Sequence, residues 1–231
     1  MIERCHASVR AQTVPCDHIM VGDAAKVAAP STALHVHLPR NAGDYGDTPR
    51  AVGSAYAAGL GHEVIVYLDG DNWLHPQHVE SVLARHLETG ASIVSSYRAL
   101  YRLDGSYMAV CISSDGQQFC DTNCMALFRP AFHLAATWSS MDSRLHPIGD
   151  RVMWNAVLQS GLQRAHTSRA TVHYLAAAAG FYRDLREPIP AGARDSAPAI
   201  RQALQHWKSM GFELPVQFRY TRYSPPGGIK P

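Results

Sequence analysis

Charged residues are scarce in this sequence, and neither sign predominates. Charged side chains make up 17% of the 231 residues, and 21 Lys and Arg residues face 19 Asp and Glu residues, for a formal net charge of +2. So small a net charge gives little of the counterion release that drives non-specific binding to nucleic acid. We therefore expect no nucleic-acid partner.

Long apolar runs are also absent. No stretch of about 18 apolar residues occurs, so the sequence predicts no membrane span. No charged segment leads into an apolar one at the start, as it would in a secretory signal peptide. The five cysteines, an odd number, are typical of reduced thiols rather than of a disulfide framework. Together these absences predict a cytoplasmic location.

The apolar fraction, 46%, is sufficient for the core of one α/β domain of this length. Helical and strand patterns alternate along its first part. They predict a helix over 2–12, a strand over 18–21, a helix over 48–59, a strand over 63–68, a helix over 76–90 and a strand over 91–96. This order predicts an α/β fold with a doubly wound, mainly parallel sheet and helices on both of its faces.

Two aspartates follow the most strongly predicted strand. Residues 63–68 are nearly all apolar, and Asp69-Gly70-Asp71-Asn72 comes directly after them. Open α/β sheets bind ligands at the carboxyl ends of their strands, and two carboxylates one residue apart suit a hard cation such as Mg²⁺ or Mn²⁺. The same residue types are equally favoured in a solvated turn ahead of a helix. The pattern alone leaves both interpretations open.

Four segments, in the expected order, resemble a family-2-type glycosyltransferase of the GT-A fold. Glu3–Val21 (ERCHASVRAQTVPCDHIMV) is similar to that family's first helix and second strand, and Asn41–Val79, which contains the Asp-x-Asp block, is similar to its central stretch. Thr122–Phe132 (TNCMALFRPAF) resembles the segment that lines the acceptor cleft. Gly149–Leu162 (GDRVMWNAVLQSGL) resembles the helix of the catalytic base. The likeness covers about residues 3–165.

This resemblance implies one GT-A-like domain over residues 1–215, followed by a flexible tail over 216–231. Residues 1–95 would bind the nucleotide sugar and residues 96–215 the acceptor. The implied reaction transfers a sugar from a nucleotide-diphospho-sugar donor to a hydroxyl group of a carbohydrate, lipid-linked or protein acceptor, with inversion at the anomeric carbon.

The resemblance also implies roles for single residues. Asp23 matches the carboxylate that reads the nucleotide base, and Arg50 matches a basic residue near the diphosphate. Asp150 matches the general base that deprotonates the acceptor hydroxyl. A partly buried aspartate in that position would have its pKa raised by desolvation, which suits a base that works near neutral pH.

A metal cofactor, Mn²⁺ or Mg²⁺, follows from the same resemblance. Asp69 would lie by the ribose and the metal ion, and Asp71 would be the principal metal ligand. Some glycosyltransferases of this fold use a histidine downstream of the base as a further ligand, and His173 would take that role. An ordinary strand histidine is the alternative for His173.

Three features depart from the family's pattern. Gly149-Asp150 stands where the family commonly has Glu-Asp, and Asn72 stands where it frequently has Asp. The family's first strand should precede Ile2, and no strand pattern is found there. Because that strand is central in the GT-A sheet, we expect two unpaired strand edges inside the sheet, and a chain that is truncated or assigned too late a start.

Two other functions would share some of these features. A nucleotidyltransferase on a similar α/β sheet would also use metal-binding aspartates, together with a glycine- and lysine-rich triphosphate loop near its first strand. A catalytically inactive binding or scaffold domain that kept the fold would account for both the absent strand and the single carboxylate at 149–150.

Overall fold

The chain begins with a helix that leads into a small parallel sheet. A computed structural model describes residues 1–24, 30–212 and 223–224. Helix α1 (Ile2–Arg10) precedes strands β1 (Ile19–Asp23) and β2 (Leu34–Leu38). β1 and β2 pair in parallel along their whole length. The helix predicted over 2–12 and the strand predicted over 18–21 are therefore confirmed to within two residues at their ends.

A capped turn sets the start of helix α2 (Asp47–Gly59). Asp44 Oδ1 accepts a hydrogen bond from the Gly46 N–H at 3.2 Å, and its Oδ2 accepts one from the Thr48 N–H at 2.8 Å. Gly46 has a φ of +89°, in the left-handed region that favours glycine. The helix begins at Asp47, one residue before the predicted start at 48, and the Asp44 carboxylate binds N–H groups at its amino end.

A larger sheet contains the remaining strands of the described residues. These are β3 (Val64–Val66), β4 (Trp73–Leu74), β5 (Ile93–Tyr101), β6 (Tyr107–Cys111), β7 (Met125–Phe128) and β8 (Arg164–Leu175). Their order is β3-β7-β5-β8-β4, with β6 also paired to β5. β5 and β8 are parallel, whereas the other pairs of this sheet are antiparallel.

The α/β class is confirmed, but the larger sheet is mixed rather than mainly parallel. β5 and β6 are joined by a short turn around Gly105, which gives an antiparallel hairpin. β7 follows β6 without a crossover helix of the kind that a parallel connection requires. β8 comes after helix α5, and it is the strand that pairs in parallel with β5.

The remaining helices pack against this sheet and against each other. They are α3 (His78–Thr89), α4 (Thr137–Ser140), α5 (Gly149–Gln159), α6 (Ala179–Asp184) and α7 (Ala197–Ser209), with 3-10 segments at Thr122–Cys124, Arg129–Ala136 and Ser143–Ile148. The main core contains the buried indoles Trp138 and Trp154. A smaller core joins Trp207 of α7 to Leu145 and Ile148, just ahead of α5.

The sequence predicts two unpaired strand edges and a flexible tail over 216–231. Within the described residues β1 pairs with β2 and β3 pairs with β7, so each of β1 and β3 has one unpaired edge, as the sequence predicts. The tail predicted over 216–231 lies outside the described residues, except for Tyr223 and Ser224. Tyr223 forms an isolated antiparallel β-bridge with Cys111, and the Ser224 N–H donates a hydrogen bond to the carbonyl of Val110 at 2.9 Å.

Among the helices that the structure describes, none is both long and apolar enough to cross a membrane.

Candidate active site

Asp69 lies at the centre of a polar cluster beyond the carboxyl end of β3. Arg50 Nη2 donates to Asp69 Oδ1 at 2.6 Å, and Asn123 Nδ2 donates to Asp69 Oδ2 at 2.9 Å. Asn123 Oδ1 in turn accepts a hydrogen bond from the Asp69 N–H at 2.7 Å. Burial by itself would raise the pKa of Asp69, but Arg50 and Asn123 lower it below its ordinary value. Asp69 is therefore held ionised, and both of its oxygens already bind protein groups.

Asp71 has a different environment, although it is only two residues further on. A tight turn, in which the Asn72 N–H donates to the Asp69 carbonyl at 2.9 Å, separates the two carboxylates. Burial and the negative charge of Asp69 both raise the pKa of Asp71. A cation beside Asp71 would relieve this repulsion.

Asn72, the third polar residue of this turn, faces inward. It is 2% exposed, and its Oδ1 accepts a hydrogen bond from the Leu175 N–H at 2.9 Å. The amide oxygen of Asn72, at the position where the family frequently has Asp, is thus bound to the end of β8. Asn72 anchors the turn rather than contributing an open ligand.

A buried carboxylate joins Arg50 to the start of α5. Asp47 has a side chain that is 2% exposed, and its Oδ1 accepts from Arg50 Nη1 at 3.0 Å. Its Oδ2 accepts from His146 Nδ1 at 2.8 Å, and His146 lies just ahead of α5. A Cβ atom at Gly149 would lie 2.7 Å from Asp47 Oδ2. Because glycine has no side chain, position 149 leaves the space that the Asp47 carboxylate occupies.

A second buried ion pair, between Arg98 and Asp121, supports Asn123. Asp121 Oδ1 accepts hydrogen bonds from Asn123 Nδ2 at 3.1 Å and from the Asn123 N–H at 3.0 Å, while its Oδ2 pairs with Arg98 Nη1. The Arg98 guanidinium lies 4.4 Å from the centre of the Tyr174 ring. Burial would lower the pKa of Arg98, but Asp121 raises it well above its ordinary value.

Replacing Asp121 with asparagine should destabilise the fold strongly. The side chains of Arg98 and Asp121 are 7% and 10% exposed, so the substitution would leave a buried guanidinium without its counter-charge. We expect the free energy of unfolding to fall by about 3–5 kcal/mol, measured by urea denaturation. Asp195→Asn, which breaks the exposed pair with Arg183, is the matched control and should change little. Equal losses in the two variants would contradict this account.

Asp150, the predicted base, lies in the first turn of α5. Its Oδ1 accepts from the Arg151 N–H at 2.8 Å. Burial is the main cause of the raised pKa of Asp150. The positive charge of Arg151 lowers this pKa, the negative charge of Asp121 raises it, and the positive charge of Arg98 lowers it. Asp121 also raises the pKa of Asp71. Asp47, which Arg50 joins to Asp69, borders Gly149, so Asp150 lies one residue from the polar cluster around Asp69.

Asp23 ends β1, where it supports a loop. Its Oδ1 accepts from the Ala42 N–H at 2.8 Å, in the connection between β2 and α2. Its predicted contact with a nucleotide base stays a prediction.

His173 lies in β8 among aromatic side chains. It is opposite Trp73 in the pairing of β4 with β8, and its ring centre is 5.2 Å from that of Tyr101 and 6.1 Å from that of His75. Neither ring nitrogen has a hydrogen-bond partner among the described residues. Burial, together with His75 and Arg4, lowers the pKa of His173 to about 4, so it is neutral near pH 7.

The residues predicted to bind a metal ion do not form a preassembled protein site. Within residues 1–24, 30–212 and 223–224, no three His, Cys, Asp or Glu side chains are grouped so that they could hold one. Asp69, Asp71 and His173 are therefore not brought together as a set of three ligands. Arg50 and Asn123 already bind the two carboxylate oxygens of Asp69, so Asp71 is the carboxylate of this pair that is better suited to meet an incoming cation.

Much of the polar network that surrounds Asp69 is not predictable from the sequence. Asn123 lies within the segment that resembles an acceptor cleft, but its pairing with Asp69 spans 54 residues of sequence. The pairing of Asp47 with His146 spans 99 residues. One signal is visible: Arg98 is the single charged residue of the strand Ile93–Tyr101, and a charge in a buried strand requires a partner.

Comparison with solved structures identifies the fold. TarS 1-349 of S. aureus in complex with UDP superposes with a TM-score of 0.56 at 14% sequence identity, over 90% of this chain and 68% of that chain. The complex of TarS 1-349 with UDP-GlcNAc gives a TM-score of 0.55 at 13% identity, over 90% and 69% of the two chains. At this identity the likeness establishes the GT-A fold and not the reaction.

No protein-family model matches this sequence, and no curated protein matches it.

Proposed function

We propose that this protein transfers a sugar from a nucleotide-diphospho-sugar donor to a hydroxyl group of an acceptor. The observation that carries the proposal is the set of contacts that joins Asp69, beyond β3, through Arg50 and Asp47 to the start of α5, where Asp150 lies. Displacement at a sugar carbon needs two things: positive charge for the departing diphosphate and a base for the incoming hydroxyl. The fold shared with TarS supports this interpretation.

For the donor, we propose a uridine diphosphate sugar as the first candidate, because TarS is known in complexes with UDP and UDP-GlcNAc. Asp23 would contact the base at the carboxyl end of β1. Arg50 would place positive charge beside the diphosphate, although Asp69 and Asp47 already share that charge. Asp69, fixed by Arg50, would lie by the ribose.

We also propose that Mn²⁺ or Mg²⁺ enters with the donor and that Asp71 is the protein's ligand for it. Both oxygens of Asp69 are hydrogen-bonded, so Asp71 is the carboxylate of this pair that can accept a hard cation. When bound, the ion would offset the charge that develops on the diphosphate. We do not extend this proposal to His173, whose surroundings are aromatic.

Replacing Asp71 with asparagine should weaken metal binding in the presence of nucleotide. The amide keeps the side-chain shape but removes the charge that attracts the ion, so we expect Mn²⁺ affinity in the presence of UDP to fall at least about tenfold. Titration calorimetry with Mn²⁺ and UDP measures this directly. Glu88→Gln, an exposed carboxylate on α3, is the control. Unchanged Mn²⁺ affinity in Asp71→Asn would exclude it as the ligand.

On the acceptor side, we propose that Asp150 takes the proton of the acceptor hydroxyl as the sugar is transferred. Asp150 is the carboxylate at the start of α5, and a single base on the face opposite the leaving group is the requirement of an inverting displacement. The acceptor would be the hydroxyl of a carbohydrate, a lipid-linked sugar or a protein.

The free state of all five cysteines supports a cytoplasmic location.

The rate of transfer should depend on pH through Asp150. Burial raises the pKa of Asp150 above its ordinary value of 3.8, and only the ionised form can accept a proton. We therefore expect kcat to fall as the pH decreases through this raised pKa, with the acid limb of the profile above pH 3.8. A kcat profile measured at saturating donor and acceptor tests this expectation. A rate that stays constant down to the ordinary pKa of an aspartate would contradict it.

A further inference from the structure

A segment that follows β8 folds back on itself beside the turn that carries Asp71. This strap (residues 176–195) contains α6 and returns to its own beginning. The Arg194 N–H donates a hydrogen bond to the Ala177 carbonyl at 2.8 Å, and the Arg194 carbonyl accepts one from the Ala179 N–H at 2.9 Å. The two ends of the strap therefore lie side by side at Arg194.

The beginning of the strap is bound to the turn that carries Asp71. Asn72, the next residue, is buried, and its Oδ1 accepts a hydrogen bond from the Leu175 N–H at 2.9 Å. Leu175 is the last residue of β8, immediately ahead of the strap. A short path of hydrogen bonds thus connects Asp71 with Arg194. Burial and Asp69 raise the pKa of Asp71, and the positive charge of Arg194 opposes them, in agreement with this placement.

Contacts with the turn between β5 and β6 hold the strap in place. Tyr182 of α6 is 2% exposed, and its hydroxyl oxygen accepts a hydrogen bond from the Leu103 N–H at 3.3 Å. Arg102 donates to both carboxylate oxygens of Glu187, each at 2.7 Å. The backbone around Arg194 is therefore fixed before a ligand arrives, which reduces the entropy cost of binding.

The guanidinium of Arg194 is available to an external anion. Its side chain is exposed, and it makes no hydrogen bond or ion pair with any residue that the structure describes. The other arginines beside the aspartates of the site are already paired with protein carboxylates, and they are Arg50, Arg98 and Arg151. Arg194 can therefore offer a new ligand a charge that no carboxylate of the described residues binds.

A diphosphate that approaches Asp71 needs such a charge. Asp69 is held ionised beside it, and the guanidinium of Arg50 is already bound to two carboxylates. A second guanidinium offsets part of the repulsion between these carboxylates and the phosphates. Its N–H groups also form a planar fork that matches the geometry of phosphate oxygens. The chemistry of Arg194 thus suits a diphosphate.

We propose that Arg194 binds the diphosphate of the sugar donor and that the strap positions it for this contact. The inference rests on the proposed function, which makes the donor a nucleotide-diphospho-sugar. In transfer, the bond between the anomeric carbon and the phosphate oxygen breaks, and that oxygen keeps the electron pair. The acceptor oxygen bonds to the carbon, and its proton goes to Asp150. Arg194 would stabilise the negative charge that develops on the departing diphosphate.

Inorganic pyrophosphate is the probe for this site, because it carries the diphosphate group without a base or a sugar. Titration calorimetry with Mg²⁺ present compares the unmodified protein with Arg194→Gln, Arg194→Lys and the control Arg186→Gln. Arg186 is also an exposed arginine of the strap. We expect Arg194→Gln to weaken pyrophosphate binding about tenfold or more. Arg194→Lys should lose less, because it keeps the charge, and Arg186→Gln should bind as the unmodified protein does.

The melting temperature should stay unchanged in all three variants, so that a loss of binding cannot be a loss of fold. Pyrophosphate affinity that is unchanged in Arg194→Gln would overturn the proposal, and so would equal losses in Arg194→Gln and Arg186→Gln. No binding of pyrophosphate by the unmodified protein would also overturn it. Failure of the proposed function gives a different result: pyrophosphate binding that depends on Arg194, with no UDP release from any UDP-sugar, would retain the diphosphate site and exclude sugar transfer.

Discussion

Replacing Asp150 with asparagine should lower kcat for sugar transfer by about 10²–10⁴-fold, the usual contribution of a general base. Asparagine has the same shape but cannot accept the proton of the acceptor hydroxyl. Because burial raises the pKa of Asp150, its ionised form is unfavourable in the fold, and losing the charge should not reduce stability at neutral pH. The measurement is kcat at saturating substrates, together with UDP affinity and melting temperature.

The informative result for Asp150→Asn is a fall in kcat alone. UDP affinity and melting temperature should stay near the values of the unmodified protein. Glu88→Gln, the exposed carboxylate on α3, should leave all three unchanged. A kcat within a few-fold of the unmodified protein would remove Asp150 from the proposed chemistry.

Replacing Gly149 with alanine should both destabilise the protein and slow transfer. A Cβ at this position would lie 2.7 Å and 3.0 Å from the two carboxylate oxygens of Asp47. Asp47 cannot readily move, because it is buried between Arg50 and His146. The start of α5 must shift instead, and the next residue is the proposed base. We expect a loss of about 1–3 kcal/mol in the free energy of unfolding and of about 10²-fold in kcat.

Two further variants, Gly59→Ala and Asp47→Gly, test whether the contact with Asp47 causes the effect of Gly149→Ala. At Gly59, near the end of α2, an added Cβ meets nothing within 4 Å, so Gly59→Ala should be neutral or slightly stabilising. In a double-mutant cycle, Asp47→Gly should make Gly149→Ala less costly, because it removes the atoms that the new Cβ meets. Additive effects of the two substitutions would show that this contact does not decide the outcome.

The parts of the fold that were predictable from sequence are those with local signals. α1, α2 and β5 follow from periodicity and from their bounding residues, and the fold class follows from their order. The pairing direction in the larger sheet was not predictable in this way. β7, four buried residues at Met125–Phe128, is too short to show a period, and its insertion between β3 and β5 makes that part of the sheet antiparallel.

The same division applies to the candidate site. Asp69 and Asp71 were identifiable because they end a strongly predicted strand, and Asp150 through the resemblance of its segment. The groups that hold Asp69 were not identifiable, because they arrive from distant parts of the chain: Arg50 is 19 residues away and Asn123 is 54 residues away. Tertiary contacts of this kind leave no periodic pattern.

The most direct test of the central claim is the release of free UDP from UDP-GlcNAc and other UDP-sugars, with Mn²⁺ present and with sugar acceptors supplied. We expect UDP release by the unmodified protein and its loss in Asp150→Asn, with UDP binding retained. Binding of UDP-sugars with no release under any condition would contradict the account and indicate a binding domain. Release of pyrophosphate from a nucleoside triphosphate, with no cleavage of any nucleotide sugar, would contradict it in favour of a nucleotidyltransferase.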